Sequence, residues 1–324
     1  MLVEGRRPLA PIARLSALVL LGLLGCAPQP GATADMVVAT PLEDAAALPR
    51  QIGELELLGA YELRAGDRDF GGISAARRRE GRLLLLSDRS VLYELDWPSA
   101  GLSGTRGELA VRDKRPLTNA RGTPIDSEAL VVLADGSIRV GNEGTGRVLT
   151  FPAGQSRANR DPLRLSPAFS DAGRENRGLE TLTLLPERGL LALLEGDDGH
   201  GVHAGVIVGE EGPEPVAYRS ADGFQVTDAD VAGDWLLVLE RRLSLLGGWQ
   251  TRVVAVPLAA VPPAPGTTIT GRELARIAGG VLSENYEGLA AWSGPDGAIA
   301  VTLVSDDNFN PLQSTQLLDL RWRP

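Results

Sequence analysis

Cysteine, lysine and histidine are almost absent from this 324-residue chain. Cys26 is the only cysteine, so no disulfide can form within one molecule. Lys114 is the only lysine, and the 32 basic residues are outnumbered by 42 acidic ones, for a net charge of −10. Nucleic-acid binding is not expected, because it relies on lysine and arginine to displace counterions from phosphates. An acidic surface is instead compatible with cations as partners.

The two histidines, His200 and His203, lie in the glycine-rich segment 196–203 together with Asp197 and Asp198. Two histidines and two aspartates this close could bind a transition metal. The alternative is a solvated loop. Any catalytic histidine would also have to be one of these two.

The usual signatures of nucleophilic and phosphate-binding sites are missing too. The string nearest to the Gly-x-Ser-x-Gly of serine esterases is residues 72–76, which lacks the second glycine. There is no Arg-His-Gly phosphatase signature, no P-loop and no Gly-x-Gly-x-x-Gly unit after a strand.

An apolar run near the N-terminus, residues 15–24, is too short to span a bilayer but suits a signal-peptide core. Basic residues precede it, and it ends in Leu23-Leu24-Gly25-Cys26. This ending resembles the bacterial lipobox, in which the cysteine becomes the lipidated N-terminus. We therefore predict a lipoprotein signal peptide over residues 1–25 and lipidation of Cys26. The alternative is ordinary cleavage near residues 32–34.

Residues 26–50 are predicted to be a flexible tether, because their first part is rich in proline and glycine and has no periodicity. Residues 51–324 are predicted to be one domain. The expected location is the bacterial cell envelope, with the domain facing the periplasm or the exterior. We expect a monomer that a lipid alone holds to the membrane, since the negative charge disfavours attachment to anionic lipids.

Beyond residue 50 the chain consists of short apolar runs bounded by glycine, aspartate and proline, which is typical of an all-β fold. Five segments align with one another. They run over residues 72–88, 128–143, 178–195, 227–240 and 285–306. Each ends an apolar strand in an acid: Asp88, Glu143, Glu195, Glu240 and Asp306. The last copy is the richest, because Asp307, Asn308 and Asn310 follow.

A period near fifty residues with at least two strands in each unit predicts a β-propeller of about five or six blades. The returning strands are continuously apolar, which suggests burial on both faces between neighbouring blades. A sixth blade could come from residues 145–175. Residues 55–63 could supply an outer strand that closes the ring with the last blade. A β-sandwich is the main alternative, but it predicts more alternation and no fixed period.

The acids of each repeat are expected to meet at one end of their hairpin. Glu128 and Glu143 are 15 residues apart, as are Glu180 and Glu195. In a hairpin the start of one strand lies beside the end of the next. The repeats then direct their acids to one mouth: Glu128, Glu143, Glu180, Glu195, Asp228, Glu240, Glu287 and Asp306.

So many carboxylates cannot all stay charged and unpaired at close range. Carboxylate and amide oxygens are hard ligands that suit Ca²⁺. The alternative for each acid is structural: it accepts backbone N–H bonds from the next blade or pairs with a nearby arginine. Candidates for such pairing are Arg89, Arg177, Arg241 and Arg242.

Several of these strings resemble the bacterial phytase-like family described as having esterase-like activity. They are residues 176–182, 239–241, 285–290 and 303–310, in the expected order, and the resemblance covers roughly residues 55–322. It implies a secreted or periplasmic β-propeller related to calcium-dependent phytase-type phosphoesterases. A phytate pocket would also need basic side chains. The cluster Arg77-Arg78-Arg79 is predicted to lie in a solvated surface turn instead.

The resemblance and the acids together predict a calcium-dependent hydrolase of phosphate or other esters, with a small-molecule substrate. Its expected catalytic residues are Glu180, Glu287 and Asp306. Its expected Ca²⁺ ligands are Glu128, Glu180, Asp228, Glu287, Asp306 and Asp307. The alternative is a non-catalytic propeller that binds a ligand or a protein partner through the same mouth.

Overall fold

The computed structural model describes residues 35–42, 48–79, 81–98, 101–174, 177–261 and 268–324. The predicted signal peptide and the predicted lipidation of Cys26 lie outside these ranges and stay predictions. No helix in the described ranges is long and apolar enough to cross a bilayer.

The described residues form 23 β-strands and one α-helix. The chain begins with β1 (Met36–Pro41), β2 (Gln51–Ile52) and β3 (Leu55–Ala65). A first antiparallel meander follows, made of β4 (Ile73–Arg79), β5 (Arg82–Ser87), β6 (Val91–Asp96) and β7 (Gly107–Pro116). A second comprises β8 (Ser127–Val132), β9 (Ile138–Asn142), β10 (Arg147–Phe151) and β11 (Leu163–Arg164), and helix α1 (Pro167–Arg174) comes after it.

Three further meanders complete the domain. The third comprises β12 (Leu179–Leu185), β13 (Gly189–Asp197), β14 (Val202–Gly209) and β15 (Gly212–Arg219), with β19 (Thr268–Ile269) parallel to β15. The fourth comprises β16 (Gln225–Ala232), β17 (Trp235–Ser244), β18 (Gly248–Pro257) and β20 (Arg272–Ala278). The fifth comprises β21 (Tyr286–Ser293), β22 (Ile299–Ser305) and β23 (Gln316–Trp322), with β3 as its fourth strand.

The meanders are arranged in a ring. The first strand of each one contacts the first strand of the next, in the order β4, β8, β12, β16 and β21, and β21 contacts β4 again. A closed cycle of meanders is the β-propeller arrangement and excludes a sandwich of two sheets. Because β3 pairs with β23, the N-terminal part of the domain completes the last meander, as the sequence predicts.

The apolar strands are buried on both faces because each meander lies between two others. In β5, Leu83 and Leu85 belong to one hydrophobic cluster, whereas Leu84 and Leu86 belong to another. Successive side chains of a strand point to opposite faces, so a strand with two buried faces needs apolar residues at every position. This explains the continuous apolar runs in the sequence.

The predicted tether over residues 26–50 is wrong in part. Strand β1 (Met36–Pro41) lies between β3 and β7 and pairs with both. Val37 and Ala39 are fully buried in the hydrophobic core. The alternation of these short apolar residues is too brief to stand out in the sequence, and only tertiary pairing makes them a strand.

Candidate functional site

The first strand of every meander contains a β-bulge at the same place. The register shifts by one residue between the first and third residues of β4, β8, β12 and β21 and between the second and fourth residues of β16, which leaves one residue of each strand without a cross-strand partner. The bulged residues are Ser74, Glu128, Glu180, Thr227 and Glu287. A bulge changes the direction in which a side chain points, so five equivalent bulges can direct five side chains to one place.

A second set of five residues follows from the same register. In each meander it is the residue directly after the partner of the residue that precedes the bulge. These closing positions are Asp88, Glu143, Glu195, Arg241 and Asp306. The backbone N–H of Asp88 donates to Gly72, that of Glu195 to Gly178 and that of Asp306 to Asn285, so the hairpin geometry repeats.

The two sets meet around one cavity of about 200 Å³. Its lining consists of Asp88, Glu128, Glu143, Glu180, Glu195, Arg241, Glu287, Asp306 and Asn308. All five closing positions are present, together with the three acids among the bulged residues. The lining therefore holds seven carboxyl groups and one guanidinium. The structure brings together Glu128, Glu180, Glu287 and Asp306 as predicted.

Three acids form the tightest oxygen cluster on one side of the cavity. Carboxylate oxygens of Asp126, Glu128 and Glu143 lie within 4.8 Å of one another. Asp126 precedes β8, and its carbonyl oxygen accepts the backbone N–H of Glu143 at 3.1 Å. Glu143 also makes a structural contact: its Oε1 accepts the N–H of Gly178, which precedes the next meander, at 3.0 Å.

Arg241 occupies the opposite side of the cavity, where it is held by two acids. Its Nη2 lies 3.1 Å from Glu195 Oε1, and its Nη1 pairs with Glu287. The amide of Asn285 donates to the same Glu287 oxygen at 2.8 Å. The Arg241 guanidinium also lies over the ring of Trp249, 5.5 Å from its centre. Burial opposes the charge of Arg241, but Glu287, Glu180 and Glu195 together hold its pKa above the ordinary value.

The remaining carboxyl groups are difficult to ionise. Burial, together with Glu128, Glu195 and Glu287, holds the pKa of Glu180 well above its ordinary range. Burial and the nearby acids do the same to the pKa of Glu128. Burial and then Glu287 raise the pKa of Asp306 to about 8, even though the N–H of Asn308 donates to Asp306 Oδ1 at 2.6 Å. The cavity therefore favours either protons or a bound cation.

Asp228 and Glu240 do not reach this cavity, so their predicted position at the mouth is wrong. Asp228 is fully buried, and both of its carboxylate oxygens accept hydrogen bonds from Arg77 at 2.8 Å. Its Oδ2 also accepts the N–H of Leu289 in the next meander at 2.8 Å. Glu240 accepts the hydroxyl of Tyr218, in β15 of the preceding meander, at 2.6 Å and pairs with Arg252 of its own sheet. Both are structural acids.

Arg77 corrects a further prediction, because it is not in a solvated turn. It lies in β4, only 4% exposed, and reaches across the ring to three other first strands. Its guanidinium donates to the carbonyl of Leu182 in β12 at 2.7 Å and of Leu289 in β21 at 2.9 Å. These acceptors come two residues after Glu180 and Glu287, so the Arg77–Asp228 pair lies below the cavity and closes the channel there.

Asp307 and the histidines also lie elsewhere. Asp307 Oδ1 accepts the N–H groups of Gly72 and Phe309 at 2.8 and 3.0 Å, and Oδ2 accepts the Thr315 hydroxyl at 3.1 Å. It thus fastens the last meander to the loop before the first. His203 is fully buried, with Nε2 2.9 Å from Ser220 Oγ and Nδ1 3.2 Å from the carbonyl of Leu194.

Three residues of the site are not expected there from the sequence: Asp88, Arg241 and Asp126. Asp88 is a closing acid, but the first strand of its meander contains no acid with which it could form a pair. The sequence offers Arg241 only as an ion-pair partner of these acids, and it does pair with Glu195 and Glu287. Asp126 follows no repeat, so only the structure brings it to the cavity.

Comparison with known families gives one match. The family model "Phytase-like: Esterase-like activity of phytase" matches residues 68–309, which contain every residue of the cavity lining. A comparison with proteins of curated function gives no match.

Two solved structures are among those that are similar to this chain. Glutaminyl cyclase from Myxococcus xanthus is 11% identical, with 82% of this chain and 95% of that chain covered and a TM-score of 0.47. The PQQ-bound form of aldose sugar dehydrogenase from Streptomyces coelicolor is 12% identical, with 85% and 99% covered and a TM-score of 0.42.

Proposed function

Since the chain belongs to the phytase-like family described by the esterase-like activity of phytase, we propose that it is a calcium-dependent hydrolase of phosphate or other esters. The reaction would take place in the acidic cavity. The observation that supports this most strongly is the lining itself, in which seven carboxyl groups face a single arginine. A site of this charge has a strong preference for a cation.

The donor set suits Ca²⁺ rather than a softer metal. Asp126, Glu128 and Glu143 offer carboxylate oxygens within 4.8 Å of one another, and Ca²⁺ takes oxygen ligands only. The cavity lining contains neither histidine nor cysteine, which zinc and copper prefer. Burial, and then the neighbouring acids, hold the pKa of Glu128 well above its ordinary range, and a bound cation would oppose both effects.

When bound, Ca²⁺ would polarise an ester oxygen and acidify a water molecule. Asp306 is suited to moving a proton, since its pKa of about 8 lies near neutral pH. Burial and neighbouring acids hold the pKa of Glu180 well above its ordinary range, which would favour a proton on its carboxyl group when no cation is bound. Glu287 would hold Arg241, whose guanidinium could contact an anionic substrate. The Arg77–Asp228 pair below leaves the mouth as the route for substrate and product.

The test combines calcium binding with turnover. We expect the purified protein to hydrolyse members of a panel of chromogenic phosphate and carboxylic esters with Ca²⁺ present and to lose this activity in a chelator. Glu128→Gln should weaken Ca²⁺ binding, measured by calorimetry, at least tenfold. Glu211→Gln, in the exposed turn before β15, is the matched control and should bind Ca²⁺ like the parent. Turnover that persists in chelator and in Glu128→Gln would refute the mechanism.

A second function is favoured by one specific feature of the cavity. Among the described residues, its lining contains no serine, cysteine or histidine that could act as nucleophile or base. A propeller that binds a cation or a cationic ligand without turnover would need none. Saturable Ca²⁺ binding with no hydrolysis anywhere in the ester panel would favour this second function over the first.

We further infer that the five meanders are the blades of a five-bladed propeller. Support comes from the cyclic order of their first strands and from the five equivalent bulges. The proposed location remains the bacterial cell envelope, with the chain anchored through a lipid on Cys26. Mass spectrometry of the mature N-terminus would test this anchor.

A further inference from the structure

Fully exposed leucines project beyond the rim of the acidic cavity. Strand β17 passes the cavity at Arg241 and continues to Ser244, about 10 Å farther on at the usual strand rise. The turn that follows carries Leu245 and Leu246, which are 103% and 100% exposed. We call these two residues the leucine tip. A single exposed leucine is ordinary, but two adjacent leucines at the end of a projecting hairpin form a small exposed apolar patch.

Other exposed apolar residues lie on the same side of the domain. Leu312 is 91% exposed and lies in the loop that leads from Asp306 at the cavity to β23. Val281 follows β20, whose end pairs with the beginning of β18 beside the leucine tip. Among the large hydrophobic residues exposed in the described ranges, only Trp292 lies at the opposite end, where β21 turns into β22. The mouth side is therefore the apolar side.

The N-terminal part of the domain begins on this side as well. The first residue of β23, Gln316, is at the mouth and pairs with Glu62 near the end of β3. The last residue of β3, Ala65, pairs with Val37 at the start of β1. The chain therefore enters the described domain at its mouth side.

The distance from Cys26 limits which side can meet a membrane. Asp35 lies nine residue steps after Cys26, and such a stretch of chain spans at most roughly 30 Å. Strand β3, with 11 residues, follows the edge of the domain and is about 36 Å long. A tether that starts at the mouth side is thus too short to run along the whole edge and present the opposite side to the bilayer.

We propose that the leucine tip inserts into the lipid bilayer that carries the Cys26 anchor, so that the acidic cavity opens toward the membrane surface. Apolar insertion, not charge, is the basis of this contact, because the chain carries a net charge of −10 and is repelled by anionic lipid. Full burial of a leucine side chain favours the inserted state about tenfold or more. The proposal rests on the proposed lipid anchor at Cys26, but it is independent of whether the cavity hydrolyses a substrate or only binds one.

The test uses the lipidated full-length product reconstituted in phosphatidylcholine vesicles. Lipidation blocks the thiol of Cys26, so Leu246→Cys provides a single site for a fluorescent label. Trp292→Cys, at the opposite end, is the matched control. With nitroxide-bearing lipids, we expect the label at 246 to be quenched at least twice as strongly as the label at 292, in low and high salt alike. Adding Leu245→Asp should lower the quenching at 246 to the level of the control.

Equal quenching at both positions would overturn the proposal. The proposal would also be overturned if the label at 246 were protected from solvent to the same extent in detergent, without vesicles, as in vesicles. That result would indicate a protein contact at the leucine tip. Both labelled residues are exposed, so the melting temperature of each variant should match that of the parent. The readout is depth in the bilayer, so loss of hydrolysis could not be mistaken for loss of docking.

Discussion

Arg77 joins four of the five meanders at the centre of the ring, and its removal is expected to destabilise the protein strongly. From β4 it donates to both carboxylate oxygens of Asp228 at 2.8 Å. It also donates to the carbonyl groups of Leu182, Ala229 and Leu289 at 2.7, 3.0 and 2.9 Å. Arg77→Ala would remove all of these bonds and leave a fully buried carboxyl group without its cation.

The magnitude follows from the state of Asp228 in that variant. Burial already raises the pKa of Asp228 to about 6 although Arg77 lowers it, so without Arg77 the pKa would be higher still. Asp228 would then take up a proton at pH 7. In the parent, a folded pKa of about 6 already carries most of the cost of holding this carboxyl group away from its unfolded pKa near 3.9, so proton uptake in the variant adds only about 1–2 kcal/mol at pH 7. The lost hydrogen bonds to the three carbonyl groups add to this, and breaking a buried ion pair from one side typically costs about 3–5 kcal/mol in total.

The loss is measured by urea and thermal unfolding at pH 7. A loss of about 4 kcal/mol should lower the melting temperature by roughly 8 °C or more in a domain of this size. Arg121→Ala, on an exposed loop, is the control and should change the stability by less than about 0.5 kcal/mol. The double variant Arg77→Met with Asp228→Leu should be more stable than Arg77→Ala, because no buried charge is left.

The stability deficit of Arg77→Ala should also depend on pH. A folded pKa raised above the unfolded value contributes stability that is complete below the unfolded pKa and is lost as the pH rises. The deficit of Arg77→Ala relative to the parent should therefore be smaller at pH 5 than at pH 7. A deficit under about 1 kcal/mol at pH 7, or one that grows on acidification, would refute this account of the Arg77–Asp228 pair.

Two further predictions concern the acidic cavity. The pKa of Asp306 is raised to about 8, so in a chelator the melting temperature should fall as the pH rises from about 4 to 8, and Ca²⁺ should reverse the fall at pH 8; a rise over that range in chelator would contradict it. Arg241→Met should lower stability in chelator by about 3–5 kcal/mol, because Glu195 and Glu287 lose their cation. Calorimetry should show tighter Ca²⁺ binding by this variant, and weaker binding would assign Arg241 a different role.

Much of the fold could be predicted because the sequence repeats its physical requirements. Every returning strand must be apolar on both faces, so Leu83, Leu84, Leu85 and Leu86 of β5 reappear as similar runs in the other meanders. The 15-residue spacing from Glu128 to Glu143 and from Glu180 to Glu195 is typical of a hairpin in which the start of the first strand lies beside the end of the second. The site could be predicted only where both members of such a pair are acidic.

The positions of the loop residues in the site could not be predicted for a different reason. Asp126 precedes its strand, and Asn308 follows Asp306 in a turn where both Asn308 and Phe309 adopt positive φ angles. Their positions depend on local turns that do not repeat. Asp307, which looks like a cation ligand in sequence, is consumed by hydrogen bonds to Gly72, Phe309 and Thr315.

The positions predicted for Asp228 and Glu240 in the fourth meander are both wrong for one reason. The predicted pairing of β16 with β17 differs from the actual register by one residue. Sequence alignment paired Asp228 with Glu240, but the bulge leaves Thr227 as the bulged residue and makes Arg241 the closing position. Side chains alternate along a strand, so one step exchanges a residue that faces the cavity for one that does not. Hydrophobic alternation normally fixes the register. Residues 236–239 of β17 are buried on both faces, so the pattern holds no such information. The one cation in the lining was therefore hidden beside an acid that resembled its neighbours.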